Sequence, residues 1–344
     1  MSFHDVIGQA EAKKLLERSL RKERIASAYL FHGPEGVGKT IMALNFARAL
    51  NCKNHEIDSC SSFEESERCS SCKKIDSCSH PDIMVVFPAP KKAREGGGRN
   101  DLVKEGKVHE YQKTEIISIG DIRTIEESLL MKPFEAKKRV VIIVDAETMR
   151  AEAQNALLKL LEEPPRDTTI ILTSSEPERL FSTIRSRCQQ IQFKRLSEQE
   201  MFDYLKSNYN LADAEIRLIC MLSRGSIKRI NELVNKEKRE ERESFKSLVT
   251  NMNYEKLLEI SNKEALDHFL QFLVLLLRDI YVVEERGKLL NVDSESYIRS
   301  VRKKYSNEEL QEIIELLGDS IINIKRNVNP QLIAHVVYDK LKEG

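Results

Sequence analysis

Residues 33–40 read Gly-Pro-Glu-Gly-Val-Gly-Lys-Thr, which matches the phosphate-binding pattern G-x-x-x-x-G-K-[ST] at every position. An apolar run, Ala28–Phe31, precedes this stretch, and a helical pattern over residues 41–47 follows it. A strand, a glycine-rich turn and a helix, in that order, are the context in which this pattern binds phosphate. A glycine turn that only joins a strand to a helix is the weaker interpretation. The stretch therefore predicts a nucleotide site.

The predicted phosphate-binding residues divide between backbone and side-chain roles. The turn that contains Gly33, Gly36 and Gly38 would wrap its backbone N–H groups around the β-phosphate, aided by the positive end of the following helix. The Lys39 ammonium would reach the β- and γ-phosphates, and the Thr40 hydroxyl would hold Mg²⁺. The expected ligand is thus ATP with Mg²⁺.

Apolar runs with the character of buried strands alternate with helical patterns through the first 195 residues. This alternation predicts an α/β domain with a parallel sheet and helices on both faces. From Ser197 onward the pattern is helical, with breaks expected at several points that include Gly225 and Gly318. The expected strands are 28–31, 83–87, 140–144, 169–173 and 190–193.

The composition of the chain argues against several classes of function. The 344 residues suffice for two or three domains, and 55 basic residues balance 55 acidic ones, so no global charge attracts nucleic acid or membrane. No apolar run approaches the roughly 20 residues that span a bilayer. The amino terminus lacks the form of a signal peptide. We expect a cytoplasmic protein without a membrane partner.

A second nucleotide motif lies at Val140–Asp145, where an apolar strand delivers Asp145 to hold Mg²⁺ through water. P-loop ATPases of the AAA+ class place a glutamate base directly after this aspartate, but here the residue is Ala146. Glu147 comes one residue later, and adjacent side chains on an extended strand point to opposite faces, so it can replace the base only if the backbone kinks. Loss of a general base costs about 10²–10⁴ in rate. We expect ATP binding with poor turnover; the weaker alternative is that Asp145 only caps the next helix.

Five of the seven cysteines fall between residues 52 and 78. A cytosolic chain does not normally keep disulfides, so the clustering indicates a metal site. The turn Cys69-Ser70-Ser71-Cys72 allows two thiolates to bind one tetrahedral Zn²⁺. Five buried thiols without a ligand are the alternative.

Several stretches together resemble one family. Residues 155–165, Asn-Ala-Leu-Leu-Lys-Leu-Leu-Glu-Glu-Pro-Pro, and the tripeptide Ser186-Arg187-Cys188 are similar to motifs of bacterial DNA polymerase III clamp-loader subunits. The opening, with Phe3 and the stretch 6–9, and the ending at 327–332 are similar too. The resemblance spans nearly the whole chain, with its motifs in the order of the family.

The resemblance implies an AAA+ domain over 1–195 with a zinc module at 52–80, a helical lid over 196–240 and an all-α collar for oligomerisation over 241–344. Asp145-Ala146 is typical of the delta-prime subunit, which closes the ring, whereas the ATP-hydrolysing gamma/tau subunits carry Asp-Glu. The absence of a long extension after the collar also favours delta-prime. The implied partners are gamma/tau and delta subunits, with the sliding clamp and primed DNA reached through the complex. The alternatives are a gamma/tau-type motor and, less favoured, an unrelated small-molecule kinase.

The resemblance also implies roles for single residues. Arg187 would enter the ATP site of a neighbouring subunit and stabilise charge on the γ-phosphate, as an arginine finger. The alternative is that Arg185 and Arg187 are ordinary surface cations. Arg229 stands where the family keeps a nucleotide-sensing lid arginine, although the register also allows Lys228. Residues 173–175 are candidates to sense the γ-phosphate.

The zinc ligands follow from the same resemblance. The family inserts four cysteines after the P-loop helix, the first at the helix end. The family usually has a further cysteine three residues before Cys69, where this chain has Ser66. Cys60, displaced by an insertion, is therefore the favoured fourth ligand, with Cys78 as the alternative. The site should be structural, without an open coordination position. The expected ligands are Cys52, Cys60, Cys69 and Cys72.

Overall fold

The computed structural model describes residues 3, 6–54, 60, 67–77, 79–89, 116–209, 211, 213–234, 263–283, 295–325 and 328–343. Cys78, residues 90–115 and the predicted boundary at 240/241 lie outside the described residues. The chain divides into two compact units. The first comprises Met1–Tyr204 with Arg224–Lys228, and the second Leu205–Ser223 with Arg229–Gly344.

The first unit is built on a parallel sheet with the strand order β2-β3-β4-β1-β5. Because β1 pairs with β4 so that His32 lies opposite Ser174, the residues that follow these two strands meet at one edge of the sheet. Every residue of β3 and β4 is buried, as expected for central strands covered on both faces. The strands are β1 Ala28–His32, β2 Ile83–Val86, β3 Arg139–Ile143, β4 Thr168–Ser174 and β5 Gln189–Gln192.

Helices cover both faces of this sheet. Alternate residues of β3 belong to two separate apolar clusters, with Val140 and Ile142 in one and Val141 and Ile143 in the other. The first cluster includes side chains from α1 and α2, and the second includes side chains from α4, α5 and α6. The helices assigned to this unit are α1 Ala10–Arg21, α2 Lys39–Asn51, α3 Ser70–Asp76, α4 Ile119–Leu130, α5 Ala151–Glu162 and α6 Ser182–Arg187.

Two helices cross the boundary between the units, α7 Glu198–Asn208 and α9 Ile227–Val234. The described residues of the second unit contain helices and no strand. The four that follow α9 enclose an apolar core that includes Leu270, Leu273 and Leu317. Among the described residues, no helix combines the length and the apolar character needed to cross a bilayer. The helices within this unit are α8 Asp213–Ser223, α10 Lys263–Val282, α11 Glu295–Arg302, α12 Asn307–Lys325 and α13 Pro330–Glu343.

The five predicted strands are confirmed to within one or two residues at each end. Helix α4 begins directly after Ser118, and Asp121 completes its capping box. The break expected at Gly318 is wrong, because this glycine lies inside α12. A single helical glycine costs about 1 kcal/mol, and the buried Ile313, Leu317 and Ile324 hold the helix in the core. The two units are coarser than the three predicted domains, whose boundaries stay predictions.

Candidate nucleotide and metal sites

The loop from Gly33 to Thr40 joins β1 to α2, as the sequence predicts, and two of its positions require glycine. Gly33 has φ 144°, and a Cβ there would lie 2.2 Å from the backbone oxygen of Phe193. Gly36 has φ 75°, and its Cβ would lie 2.2 Å from Oγ of Ser226. Larger residues would therefore meet both backbone strain and collision.

The Lys39 ammonium is anchored inside this loop. It donates hydrogen bonds to the backbone oxygens of Gly33, at 2.6 Å, and Pro34, at 2.7 Å, and the residue is buried. Burial lowers the pKa of Lys39, while the carboxylates of Asp145, Glu147 and Glu35 act in the opposite direction. Thr40 is also buried, at the start of α2.

The backbone kinks directly after β3. Asp145 adopts the left-handed conformation, with φ 49° and ψ 56°, and residues Ala146–Thr148 form a 3-10 turn. The Asp145 N–H donates to Oγ1 of Thr173 at 3.1 Å. Ala146 turns into the apolar cluster that includes side chains of α4 and α5. An extended strand would direct Glu147 away from the nucleotide site unless the backbone kinked. That kink is present.

Glu147 is a buried carboxylate with unequal oxygens. Its Oε1 accepts hydrogen bonds from the backbone N–H of Ser175, at 2.8 Å, and from the Ser175 hydroxyl, at 2.6 Å. Its Oε2 is inaccessible to solvent and has no hydrogen-bond partner. Burial and then the Glu147 charge raise the pKa of Asp145 to about 7, against the opposing charge of Lys39. These three charged groups form one cluster beside the loop.

This cluster fits the ligand that the sequence predicts. Carboxylate oxygens of buried acids are ligands that Mg²⁺ accepts, and a cation there would offset the burial and the charge repulsion that together raise the pKa of Asp145. A cleft of about 440 Å³ lies beside the loop and is lined by residues that include His32, Pro34 and Ser175. That volume falls in the range of small-molecule sites, about 300–1,000 Å³.

The three sensor candidates differ in their surroundings. Thr173 and Ser174 are fully buried. The Thr173 hydroxyl accepts from the Asp145 N–H, and the Ser174 hydroxyl accepts from the Glu176 N–H at 3.2 Å. Ser175 lines the cleft, where its hydroxyl donates to Glu147. Of the three, Ser175 is the one in position to meet a ligand.

The segment Arg224–Lys228 contacts the phosphate loop. The N–H of Ile227 donates to the backbone oxygen of Gly36 at 2.8 Å. The Lys228 ammonium lies 2.8 Å from Oε1 of Glu35. Arg229 belongs to the second unit, so its role as a lid residue stays a prediction. The structure places the alternative, Lys228, beside the loop.

Arg187 is the last residue of α6 and is partly exposed. Its Nη2 lies 2.8 Å from Oε1 of Glu162, and its Nη1 donates to the backbone oxygen of Thr183 at 3.0 Å. Neither contact is with a residue of the phosphate loop. Glu162 was not predicted as a functional residue, although it is the first of the two glutamates in the stretch 155–165.

The four predicted zinc ligands come together. The Sγ atoms of Cys52, Cys60, Cys69 and Cys72 all lie within 4.8 Å of one another, and all four residues are buried. The Sγ of Cys52 is 3.5 Å from that of Cys60 and 3.9 Å from that of Cys69. Tetrahedral zinc with Zn–S bonds of about 2.3 Å separates its sulfurs by about 3.8 Å. The four thiols therefore fit one metal ion.

Two helix ends position these thiols. Cys52 follows the last residue of α2, and Cys69 is the residue before α3. The Cys72 N–H donates to Sγ of Cys69 at 3.5 Å. Burial acts to raise the pKa of Cys69, but hydrogen bonds from the backbone N–H groups of Cys72 and Lys53 and from the thiols of Cys72 and Cys60 together lower the pKa to about 6. A thiol that ionises readily is suited to bind a metal.

The end of α4 and the loop that joins it to β3 expose apolar side chains that the sequence pattern did not predict. Leu130, Met131 and Phe134 are 85%, 72% and 83% exposed. Two buried charged side chains bind the backbone of this segment. Asp82 accepts hydrogen bonds from the N–H groups of residues 134–136, and Arg139 donates to the backbone oxygens of Leu129 and Met131. The available signal was that Leu130 and Met131 fall off the helical stripe formed by 122, 125 and 129.

Comparison with known families decides the affiliation of the chain. The family described as "DNA polymerase III, delta subunit" matches residues 8–197, which is more than half of the chain. The chain belongs to this clamp-loader family. Its AAA+ sheet, phosphate loop and Ser-Arg-Cys segment lie within the matched part or at its edge.

Curated relatives in this clamp-loader family include both subunit types. The chain is 33% identical to DNA polymerase III subunit delta' of Bacillus subtilis over 197 residues, which cover 57% of the chain and 51% of the relative. It is 32% identical to subunit tau of the same organism over 213 residues, which cover 62% of the chain and 32% of the relative. The match thus spans a third to a half of these relatives, and both types match equally well.

Among solved structures, a DNA polymerase III gamma subunit-related protein of Thermotoga maritima aligns with 96% of the chain and 98% of its own length. The TM-score is 0.48 and the sequence identity is 20%.

Proposed function

We propose that the chain is a delta-prime-type subunit of a DNA polymerase III clamp loader, which helps to place the sliding clamp on primed DNA. Arg187 carries the proposal. It is an accessible guanidinium, held by two contacts, on a nucleotide-binding domain whose own site has Ala146 where AAA+ motors place their base. Gamma/tau and delta subunits are the proposed partners, within the cytoplasm.

Arg187 would act on ATP bound to a neighbouring gamma/tau subunit. A guanidinium offers five N–H donors and a permanent charge, which suits the γ-phosphate oxygens as charge develops on them. Arginine fingers of this kind contribute about 10³–10⁵ in rate in the best-studied cases. In this proposal the chain promotes hydrolysis of ATP that a neighbouring subunit holds, without itself being the subunit that hydrolyses it.

ATP with Mg²⁺ is the proposed ligand of the site in this chain. Gly33, Gly36 and Gly38 give the loop the conformation that wraps phosphates, and Lys39 is already inside it. When bound, Mg²⁺ would neutralise charge on the β- and γ-phosphates. Asp145 would hold the ion, and Lys228 is proposed in place of Arg229 as the cation that reaches the loop from the lid side.

We propose that turnover of this ATP is weak. Ala146 is buried in an apolar cluster and carries no group that could accept a proton. Glu147 comes near the site, but Ser175 occupies its Oε1 with two hydrogen bonds. A base must be within hydrogen-bond reach of the water it activates.

An ATP-hydrolysing gamma/tau-type motor is the second candidate. One observation favours it: the kink at Asp145 brings Glu147 close enough to influence both Lys39 and Asp145. In that case the Glu147 carboxylate would serve as the base after a change that exposes its buried second oxygen, which has no hydrogen-bond partner, to the attacking water.

ATP binding and turnover by the purified chain, with and without primed DNA, separate the two candidates. We expect binding without steady turnover, because Ala146 carries no base, Oε1 of Glu147 is bonded to Ser175, and Oε2 of Glu147 is inaccessible to solvent. Steady turnover that primed DNA stimulates would favour the motor, and its loss in Glu147→Gln with binding retained would identify Glu147 as the base. Glu152→Gln, on the exposed side of α5, is the matched control.

We propose that the four-cysteine site holds a structural Zn²⁺. All four ligands come from the protein, so no coordination position remains for water or substrate. The ion would tie the end of α2 to the start of α3 and leave the chemistry of the nucleotide site unchanged.

A further inference from the structure

Helix α6, which ends at Arg187, has only six residues. A helix this short is unstable by itself, so its position must come from the residues around it. Those contacts come from α5, at both ends of α6 and along its buried side.

Gln154, in the first turn of α5, holds the entry to α6. Its side chain is buried, and its Nε2 donates to the backbone oxygen of Arg179 at 3.2 Å. Its Oε1 accepts from the backbone N–H of Phe181 at 2.8 Å. Phe181 directly precedes α6, so the start of the short helix is bonded to α5.

Apolar packing holds the middle of α6. Ile184 and Leu180 are buried, and both belong to the cluster that contains Leu157 and Leu161 of α5. The backbone of α6 is therefore fixed against α5 without any contribution from Arg187.

Glu162 then acts at the other end of α6. It is the last residue of α5, and its Oε1 lies 2.8 Å from Nη2 of Arg187, while Nη1 is held by the backbone oxygen of Thr183 at 3.0 Å. Two nitrogens held by two acceptors fix the plane of the guanidinium. The side chains are 36% and 51% exposed, and ion pairs this exposed add little to stability. The main effect of this ion pair is therefore to orient the Arg187 guanidinium.

We propose that Glu162 is a positioning residue for the arginine finger: it holds the Arg187 guanidinium in the orientation that a neighbour's ATP requires. The inference rests on the proposed function, since it takes Arg187 as the finger. With two N–H groups occupied, the guanidinium keeps further donors for phosphate oxygens. Without Glu162, the long side chain would have to be ordered anew in each catalytic cycle.

The test is ATP hydrolysis by a clamp loader reconstituted from this full chain with its gamma/tau and delta subunits. In Glu162→Gln we expect kcat to fall about tenfold, since a misplaced group costs up to about 10²-fold, with KM for ATP unchanged. The melting temperature of the chain should not change. Glu163→Gln, the adjacent exposed glutamate, is the matched control and should behave as the unsubstituted chain.

Arg187→Ala in the same complex separates this inference from the proposed function. If Arg187→Ala lowers kcat and Glu162→Gln does not, the positioning role is overturned and the finger stands. If neither substitution lowers kcat, the proposed finger itself fails. A rise in kcat in Glu162→Gln would show that Glu162 restrains the arginine, and loss of assembly would make it an interface residue; both results overturn the proposal.

Discussion

Asp82 shows how one buried charge can organise a loop. Its carboxylate accepts hydrogen bonds from the N–H groups of Phe134, at 2.8 Å, Glu135, at 2.7 Å, and Ala136, at 2.8 Å. Burial acts to raise the pKa of Asp82, but these three donors outweigh it and hold the pKa below its usual range. The loop that exposes Phe134 therefore depends on an ionised carboxylate beneath it.

Asp82→Asn should loosen this loop. An amide cannot accept from all three donors, so we expect the free energy of local opening at residues 134–136 to fall by about 1–3 kcal/mol at pH 7. Amide hydrogen exchange at these residues measures the effect. Asp203→Asn, an exposed aspartate of α7, is the control. Equal protection in Asp82→Asn and the unsubstituted chain would contradict the assigned role.

The same contact predicts a pH dependence. The pKa of Asp82 is lower in the folded state than in the unfolded state, so its contribution is present above the ordinary aspartate value of 3.8 and is lost as the pH falls through the lowered pKa. The difference in protection between the unsubstituted chain and Asp82→Asn should therefore shrink in acid. A difference that stays constant to low pH would show that the carboxylate charge is irrelevant.

Asp145 marks the limit of sequence reasoning at the scale of a residue. Its place at the end of a buried strand was predictable from the run Val140–Val144. Its left-handed backbone was not, because aspartate adopts that conformation only occasionally and the sequence does not show at which positions it does so. The kink changes the interpretation of Glu147, which the alternation rule of an extended strand would have directed away from the site.

At the scale of elements, the cysteine module joins two helix ends through one cluster of sulfurs. The predicted ligand set came from a resemblance, and the choice of Cys60 over Cys78 rested on an insertion relative to the family. The structure brings Cys60 to the other three thiols, and Cys78 lies outside the described residues. The assignment of zinc stays a prediction.

Metal analysis of the purified chain tests this assignment. We expect about one Zn²⁺ per chain, retained in Cys78→Ser and lost in Cys69→Ser and Cys60→Ser, because a structural tetrahedral site needs all four sulfurs. Loss of zinc in Cys78→Ser with retention in Cys60→Ser would show that the fourth ligand is Cys78.

The positions of the central strands were predictable because strands buried on both faces of a parallel sheet are rich in continuous apolar residues, as in β3. Contacts between elements were not. The pair of Glu162 and Arg187 joins residues at the ends of two helices, and no periodicity connects them. The same holds for Asp82, whose partners lie more than 50 positions away.

Two features of the whole molecule support its proposed role. The first unit carries an intact phosphate loop, and it also presents an arginine outside that loop. In the proposed clamp loader, Arg187 would lie beside the nucleotide of the neighbouring subunit, so that assembly and hydrolysis would be coupled. The affiliation with clamp-loader subunits supports that arrangement, while the delta-prime role is the proposal.

The arginine finger is tested by ATP hydrolysis in a complex reconstituted with Arg187→Ala, with Arg185→Ala as the control for removal of a nearby cation. We expect Arg187→Ala to leave assembly intact and to lower hydrolysis by about 10³-fold at the neighbouring site, while Arg185→Ala has little effect. Unchanged hydrolysis in Arg187→Ala, or an equal loss in both variants, would contradict the account.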